Sequence, residues 1–155
     1  MNNKIWLKND HSIIDQKLLE VMDQIDHGHI NTDLFAEIES GLKRHIFFEE
    51  TILFPLLDEG DVRIHQMMEG LKMEHAALWK LMNIVNREIE DEIFIKTKKS
   101  VSEMLMILRV HNENEEKNVY TLIKSNSESD KFDIEALELP SGWICEKLRN
   151  RRTIS

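Results

Sequence analysis

The chain of 155 residues has a single cysteine, Cys145, so no internal disulfide can form. Five Gly and two Pro leave little of the punctuation that turn-rich β folds need, and helix-forming Leu, Glu, Lys, Met and Ile dominate. No apolar run reaches the roughly 18 residues of a transmembrane helix. The opening stretch "MNNKIWLKND" lacks the apolar centre of a signal peptide. Positive charge is also scarce: 20 Lys and Arg stand against 29 Asp and Glu, a net charge of −9. That balance excludes nucleic acid and anionic membrane as expected partners. These absences predict an all-α protein in the reducing cytoplasm.

The length suits one domain with a real core. Four runs carry apolar residues at helical spacing. Leu7, Ile14, Leu18, Met22 and Ile25 form the first, which ends at Gly28. The second runs from Leu34 to about Leu56, with Asn31 or Thr32 as its cap and Pro55 in its last turn. Met68, Leu71, Leu78, Met82, Val85 and Ile89 form the third. Val101, Met104, Leu108, Val119 and Leu122 form the fourth. The break between the last two, at "EIEDEI" (88–93), has neither Gly nor Pro and is set by helix length alone. Short connections predict an up-down-up-down antiparallel four-helix bundle over residues 1–125. A linker and short C-terminal tail, 126–155, would follow. The tail's Leu137, Leu139, Trp143 and Ile144 are suited to covering the bundle or a second copy of the chain in a homodimer.

Each run places one histidine on its apolar stripe: His11, His45, His75 and His111. The second and fourth add a glutamate one turn on, Glu49 and Glu115. In an antiparallel hairpin, residues equidistant from the turn are level. His11 and His45 are equidistant from Gly28, His45 and His75 from Gly60, and His75 and His111 from position 93. All four histidines therefore share one level, with the glutamates about 6 Å further along. If a stripe takes about two positions in seven, four histidines on stripes arise by chance about 1% of the time. Buried carboxylates at that level are costly unless paired or metal-bound. The set His11, His45, Glu49, His75, His111 and Glu115 is thus the candidate metal site. Other polar residues keep ordinary readings. His27, His29 and His65 are expected in solvent. Glu50 and Glu116, five residues past their histidines, are expected to face water or to act from outside the ligand set. Asp15 could orient His11. Tyr120 is half a turn out of phase with His111 and is expected to lie outside the site.

The six residues divide into two near-repeats, His11…His45-x3-Glu49 and His75…His111-x3-Glu115. Both continue with a second glutamate and soon reach an aromatic, Phe54 or Tyr120. Two histidines and a carboxylate are the donor set of non-haem iron. Four imidazoles and two carboxylates exceed what one four-coordinate zinc takes and suit two metals bridged by the carboxylates. The ferritin-like Glu-x-x-His arrangement is missing.

This order, with "HIFFEETILFP", "MEHAAL" and "HNENEEKNVY", resembles the hemerythrin-like, or HHE cation-binding, domain over about residues 5–125. The resemblance implies a bundle holding two non-haem iron ions, bridged by carboxylates and an oxo or hydroxo group. It also implies a small partner such as O2, NO or peroxide. Oxygen-carrying hemerythrins place a second histidine one turn from the third-helix one, where this chain has Leu71 and Trp79. With the fifth imidazole missing, room on both irons is expected, which favours reaction over storage of O2. A module that senses or holds iron without turnover is the alternative.

Overall fold

A computed structural model describes residues 3–124 and 128–149. Its long helices are α1 (Asn3–Asp26), α2 (Thr32–Phe48), α4 (Val62–Glu90) and α5 (Phe94–Asn118). A short α3 (Phe54–Leu57) continues α2 through a wide π turn, Glu49–Leu53. No strand occurs among the described residues. No helix among them is long and apolar enough to cross a membrane.

Local chemistry sets these boundaries. The Asn31 side chain accepts the Leu34 N–H at 2.9 Å and caps α2. Asp61 caps α4 by accepting from Arg63 and Ile64. At the end of α1, Gly28 takes the left-handed conformation, φ 81°. There His29 N–H bonds Gln24 C=O and Gly28 N–H bonds Ile25 C=O. The same pair of bonds closes α4, from Ile93 to Glu88 and from Glu92 to Ile89. Here Glu92 occupies the glycine place, at φ 54°. The turn that lacked a sequence signal therefore has ordinary capping geometry with an unfavourable residue in it.

The π turn has a comparable origin. Pro55 has no N–H, and its ring would crowd the carbonyl four residues back in a continuous α-helix. The wider turn relieves this, and Phe54 N–H bonds the Glu49 carbonyl, five residues back. It also changes the phase of every residue beyond Phe48.

Helix α1 packs on α2 and α5, and α4 packs on α5 and α2. The apolar interior forms two clusters. One contains Ile14, Leu18, Ile38, Leu42, Leu78, Met82, Val101 and Leu108. The other contains Trp6, Leu7, Phe48, Phe54, Met68, Leu71, Val119 and Tyr120. Along α1 the change from one cluster to the other falls at His11, and along α4 at His75. A polar layer thus divides the core at the level where the histidines were expected.

The C-terminal segment lies on the helices. Leu139, Trp143, Ile144 and Leu148 pack against the first cluster, and Leu137 against the second. Trp143 meets Phe47 and Trp79 edge-on, with centroids 5.0 and 5.7 Å apart. Cys145 is fully buried, and burial pushes its thiol up to about 12, so it is no nucleophile at neutral pH.

A left-handed conformation costs a residue with a Cβ about 1–2 kcal/mol, partly offset by the greater unfolded freedom of glycine. Glu92→Gly should therefore stabilise the protein by about 0.5–1 kcal/mol, read as a higher denaturant midpoint with unchanged slope. An unchanged or lower midpoint would contradict this account of the third turn.

Candidate metal centre

The polar layer brings together the six expected side chains. His11, His45, His75 and His111 are 5, 2, 1 and 2% exposed, and Glu49 and Glu115 are fully buried. Their donor atoms fall into two groups, His11/His45/Glu49/Glu115 and Glu49/His75/His111/Glu115, each within 4.8 Å throughout. Both carboxylates belong to both groups. Glu49 Oε2 lies 3.3 Å from His45 Nε2 and its Oε1 lies 3.1 Å from His75 Nε2, so it reaches to both sides. Glu115 Oε1 lies 3.2 Å from the Nε2 atoms of His11 and His111.

Each imidazole is fixed from behind by a further carboxylate. His45 Nδ1 donates to Asp10 at 2.7 Å, and His75 Nδ1 to Glu50 at 2.7 Å. His111 Nδ1 donates to Glu74 at 2.8 Å, and His11 Nδ1 to Glu116 at 2.9 Å. An ionised carboxylate only accepts, so each Nδ1 carries its proton and each Nε2 points into the layer. Every one of these acids adjoins, in sequence, a member of the inner set on its own helix. Each acts on the histidine of the next helix. The four bonds form a closed ring, α1 to α2 and its π turn, on to α4, to α5 and back to α1.

The profile of the hemerythrin HHE cation-binding domain matches residues 5–123. The chain belongs to that family. No curated protein and no solved structure matches it.

In this hemerythrin-family chain the electrostatics of the layer call for a cation. Two carboxylates with no exposure to water, Glu49 and Glu115, lie at its centre, where burial is costly unless positive charge sits beside them. Glu115 Oε2 is buried without a hydrogen-bond partner. An orphaned buried carboxylate oxygen costs at least about 1–3 kcal/mol, and a metal ion would remove that cost. The donor types also fit, since imidazole and carboxylate together suit iron and its neighbours. His/Glu groups of this kind could hold metal.

Without metal, protons take the cation's place. Burial disfavours the His45 cation, but Glu49 and Asp10 outweigh it and hold the pKa well above the usual value. His75 is raised against burial by Glu49 and Glu50, with His111 opposing. His111, also opposed by burial, is pushed up to about 10 by Glu115 and Glu74. Glu49 is held well below the usual carboxylate range, because His45 and His75 overcome the cost of its burial.

Among the neighbouring residues, Glu50 and Glu116 take the second of the two roles open to them, outside the ligand set, whereas Asp15 and Tyr120 depart from expectation. Glu50 is buried and orients His75, and the partly exposed Glu116 orients His11. Asp15 instead pairs with Arg109 at 2.8 Å and touches no ligand candidate. Asp10 and Glu74 were not singled out in the sequence; the available signal was an acid directly before a stripe histidine. Tyr120 lies inside the layer, its Oη 2.6 Å from Glu49 Oε2 and 3.1 Å from the Nε2 atoms of His11 and His45. The helical phase that put it outside fails because α5 ends at Asn118 and a 3₁₀ turn, Tyr120–Leu122, redirects the chain. Burial, with Glu115 and Glu49 close by, holds the Tyr120 phenol well above its usual pKa. His27, His29 and His65 are exposed, as expected.

The folded state holds the His111 proton up to about pH 10, whereas the unfolded chain releases it near the ordinary 6.5. That stabilisation is complete below about pH 6.5 and is lost as pH rises towards 10. Metal-free protein should therefore weaken by on the order of a few kcal/mol from pH 7 to 10. Metal competes for the same Nε2, so loaded protein should not show this loss. Urea unfolding across that range, with and without chelator, measures it; a flat metal-free profile would contradict the assignment.

Proposed function

We propose that this chain is a non-haem di-iron protein that binds or reacts with small molecules such as O2, NO or peroxide. His11 and His45 would hold one ion, His75 and His111 the other, with Glu49 and Glu115 shared. The observation that carries the reading is the pair of overlapping donor groups with both carboxylates in common. The proposed frame is an up-down-up-down antiparallel four-helix bundle in the cytoplasm, its ligands converging from all four long helices.

Bound iron would supply a redox change and coordination positions for a small ligand. The chain's own residues do the rest. Asp10, Glu50, Glu74 and Glu116 keep the Nδ1 protons in place, so the imidazoles present Nε2 and do not rotate. The apolar clusters on both sides of the layer exclude large substrates and bulk water. A second reading, a module that holds or senses iron without turnover, is favoured by one contact. The Glu146 N–H, in the C-terminal segment, bonds Glu50 at 2.9 Å. The tail is thereby tied to an acid that orients His75.

Protein made with iron available should contain about two irons per chain. The di-ferrous form, mixed with O2 by stopped flow, should oxidise without a long-lived adduct and should bind NO or consume peroxide. A single tight zinc with no iron uptake would sink the reading. An adduct that releases O2 under vacuum would restore an oxygen carrier, and metal-dependent partner binding without turnover would favour the sensor.

Removing a ligand leaves its partners buried and unpaired. His45→Ala, His75→Ala, His111→Ala and Glu115→Ala should each weaken iron binding more than tenfold and lower the melting temperature. His27→Ala, His29→Ala and His65→Ala should load normally. Equal losses in His65→Ala and His75→Ala would place the site elsewhere.

A further inference from the structure

The two halves of the layer are built alike but end differently. Tyr120 follows Glu115 by five residues, as Phe54 follows Glu49. Tyr120 stacks on His11, with centroids 5.4 Å apart and planes at 24°. Phe54 stacks on His75, at 6.0 Å and 2°. Only the tyrosine carries a donor atom.

That atom is unusually crowded. Tyr120 Oη has Glu49 Oε2 at 2.6 Å, His11 and His45 Nε2 at 3.1 Å, and Glu115 Oε1 at 3.3 Å. A hydroxyl offers one proton and two lone pairs, so four polar neighbours exceed its hydrogen-bonding capacity. The four neighbours are also spaced evenly: His11 to His45 is 3.2 Å, His45 to Glu49 3.3 Å, and His11 to Glu115 3.2 Å. Donors held at right angles about 2.1 Å from an ion lie about 3 Å apart. Three of the spacings expected of donors that share one ion are therefore present, and Tyr120 Oη lies within 3.3 Å of all four donor atoms. On the other side, His75 and His111 keep comparable spacings to Glu49 and Glu115, 3.1 and 3.2 Å, and the ring stacked there, Phe54 on His75, offers no donor atom.

We infer that Tyr120 is a fifth protein donor to the ion between His11 and His45, and that the ion between His75 and His111 is the one that takes an exogenous ligand. The inference rests on the two-iron reading above and narrows it. The phenol proton leaves to solvent as the ion takes its place, as for other protonated metal ligands. The tyrosine would thus fill, from the opposite half of the layer, the fifth-donor role left open at Leu71 and Trp79. Room expected on both irons contracts to room on one.

The test uses the full chain and its Tyr120→Phe variant, loaded anaerobically with ferrous iron, counted for metal and then oxidised. Both should hold about two irons. The wild type should show a visible phenolate-to-ferric charge-transfer band with tyrosinate ring vibrations in the resonance Raman spectrum, and the variant should lose both. Azide titration should give one ligand per chain for the wild type and two for the variant. A wild type with two irons and no phenolate signature overturns the inference without any appeal to the variant. So does a variant that keeps the signature or takes only one azide. Iron far below two per wild-type chain removes the two-iron reading itself, and the donor assignment with it.

Discussion

Two carboxylates with no exposure to water, Glu49 and Glu115, set the terms for the rest of the protein. Desolvating an ionised carboxylate costs several kcal/mol even after relaxation, so positive charge must sit beside it. Four imidazoles provide that charge while protonated and provide donor nitrogens once deprotonated. The outer acids make either state tolerable by accepting at Nδ1. The large apolar clusters above and below the layer then serve two purposes. They supply the burial that holds the helices together, and they deny the layer the water that would otherwise satisfy its charges.

This arrangement explains why the helices are interrupted where they are. A uniform α-helix through residues 49–57 would turn Glu50 and Phe54 away from the interior, since five residues rotate the chain well past one full turn. The π turn at Glu49–Leu53 returns both to it. At the other end of the layer, the end of α5 does the same for Tyr120. The two interruptions place corresponding residues in the two near-repeats by different means.

The helices, their order and the six inner residues were legible because they depend on period and on distance from turns, both of which numbering preserves. The level of the histidines followed from Gly28 and Gly60 with no coordinates at all. What stayed hidden depended on departures from the α period. Tyr120 was placed outside the site by a phase that ends at Asn118, and the end of α4 was obscured because Glu92 stands where glycine is customary. The outer acids were half visible. Glu50 and Glu116 were allowed a role behind the ligands, whereas Asp10 and Glu74 depend on which neighbouring helix they face, and one-dimensional spacing does not carry that.

The ring of bonds between the outer acids and the histidines also bears on how the protein folds. Its links span 25 to 105 residues of chain, and the last of them, Glu116 to His11, joins α5 to α1. No single hairpin contains a complete donor group, because each includes Glu115 from α5 together with Glu49 from the π turn after α2. An ion bound there would gain its full set of ligands only after distant helices have docked, late on the folding path. Interactions formed that late leave the folding rate largely unchanged and slow unfolding instead. Metal bound in such a layer would act as a latch on the finished structure rather than as a nucleus for building it.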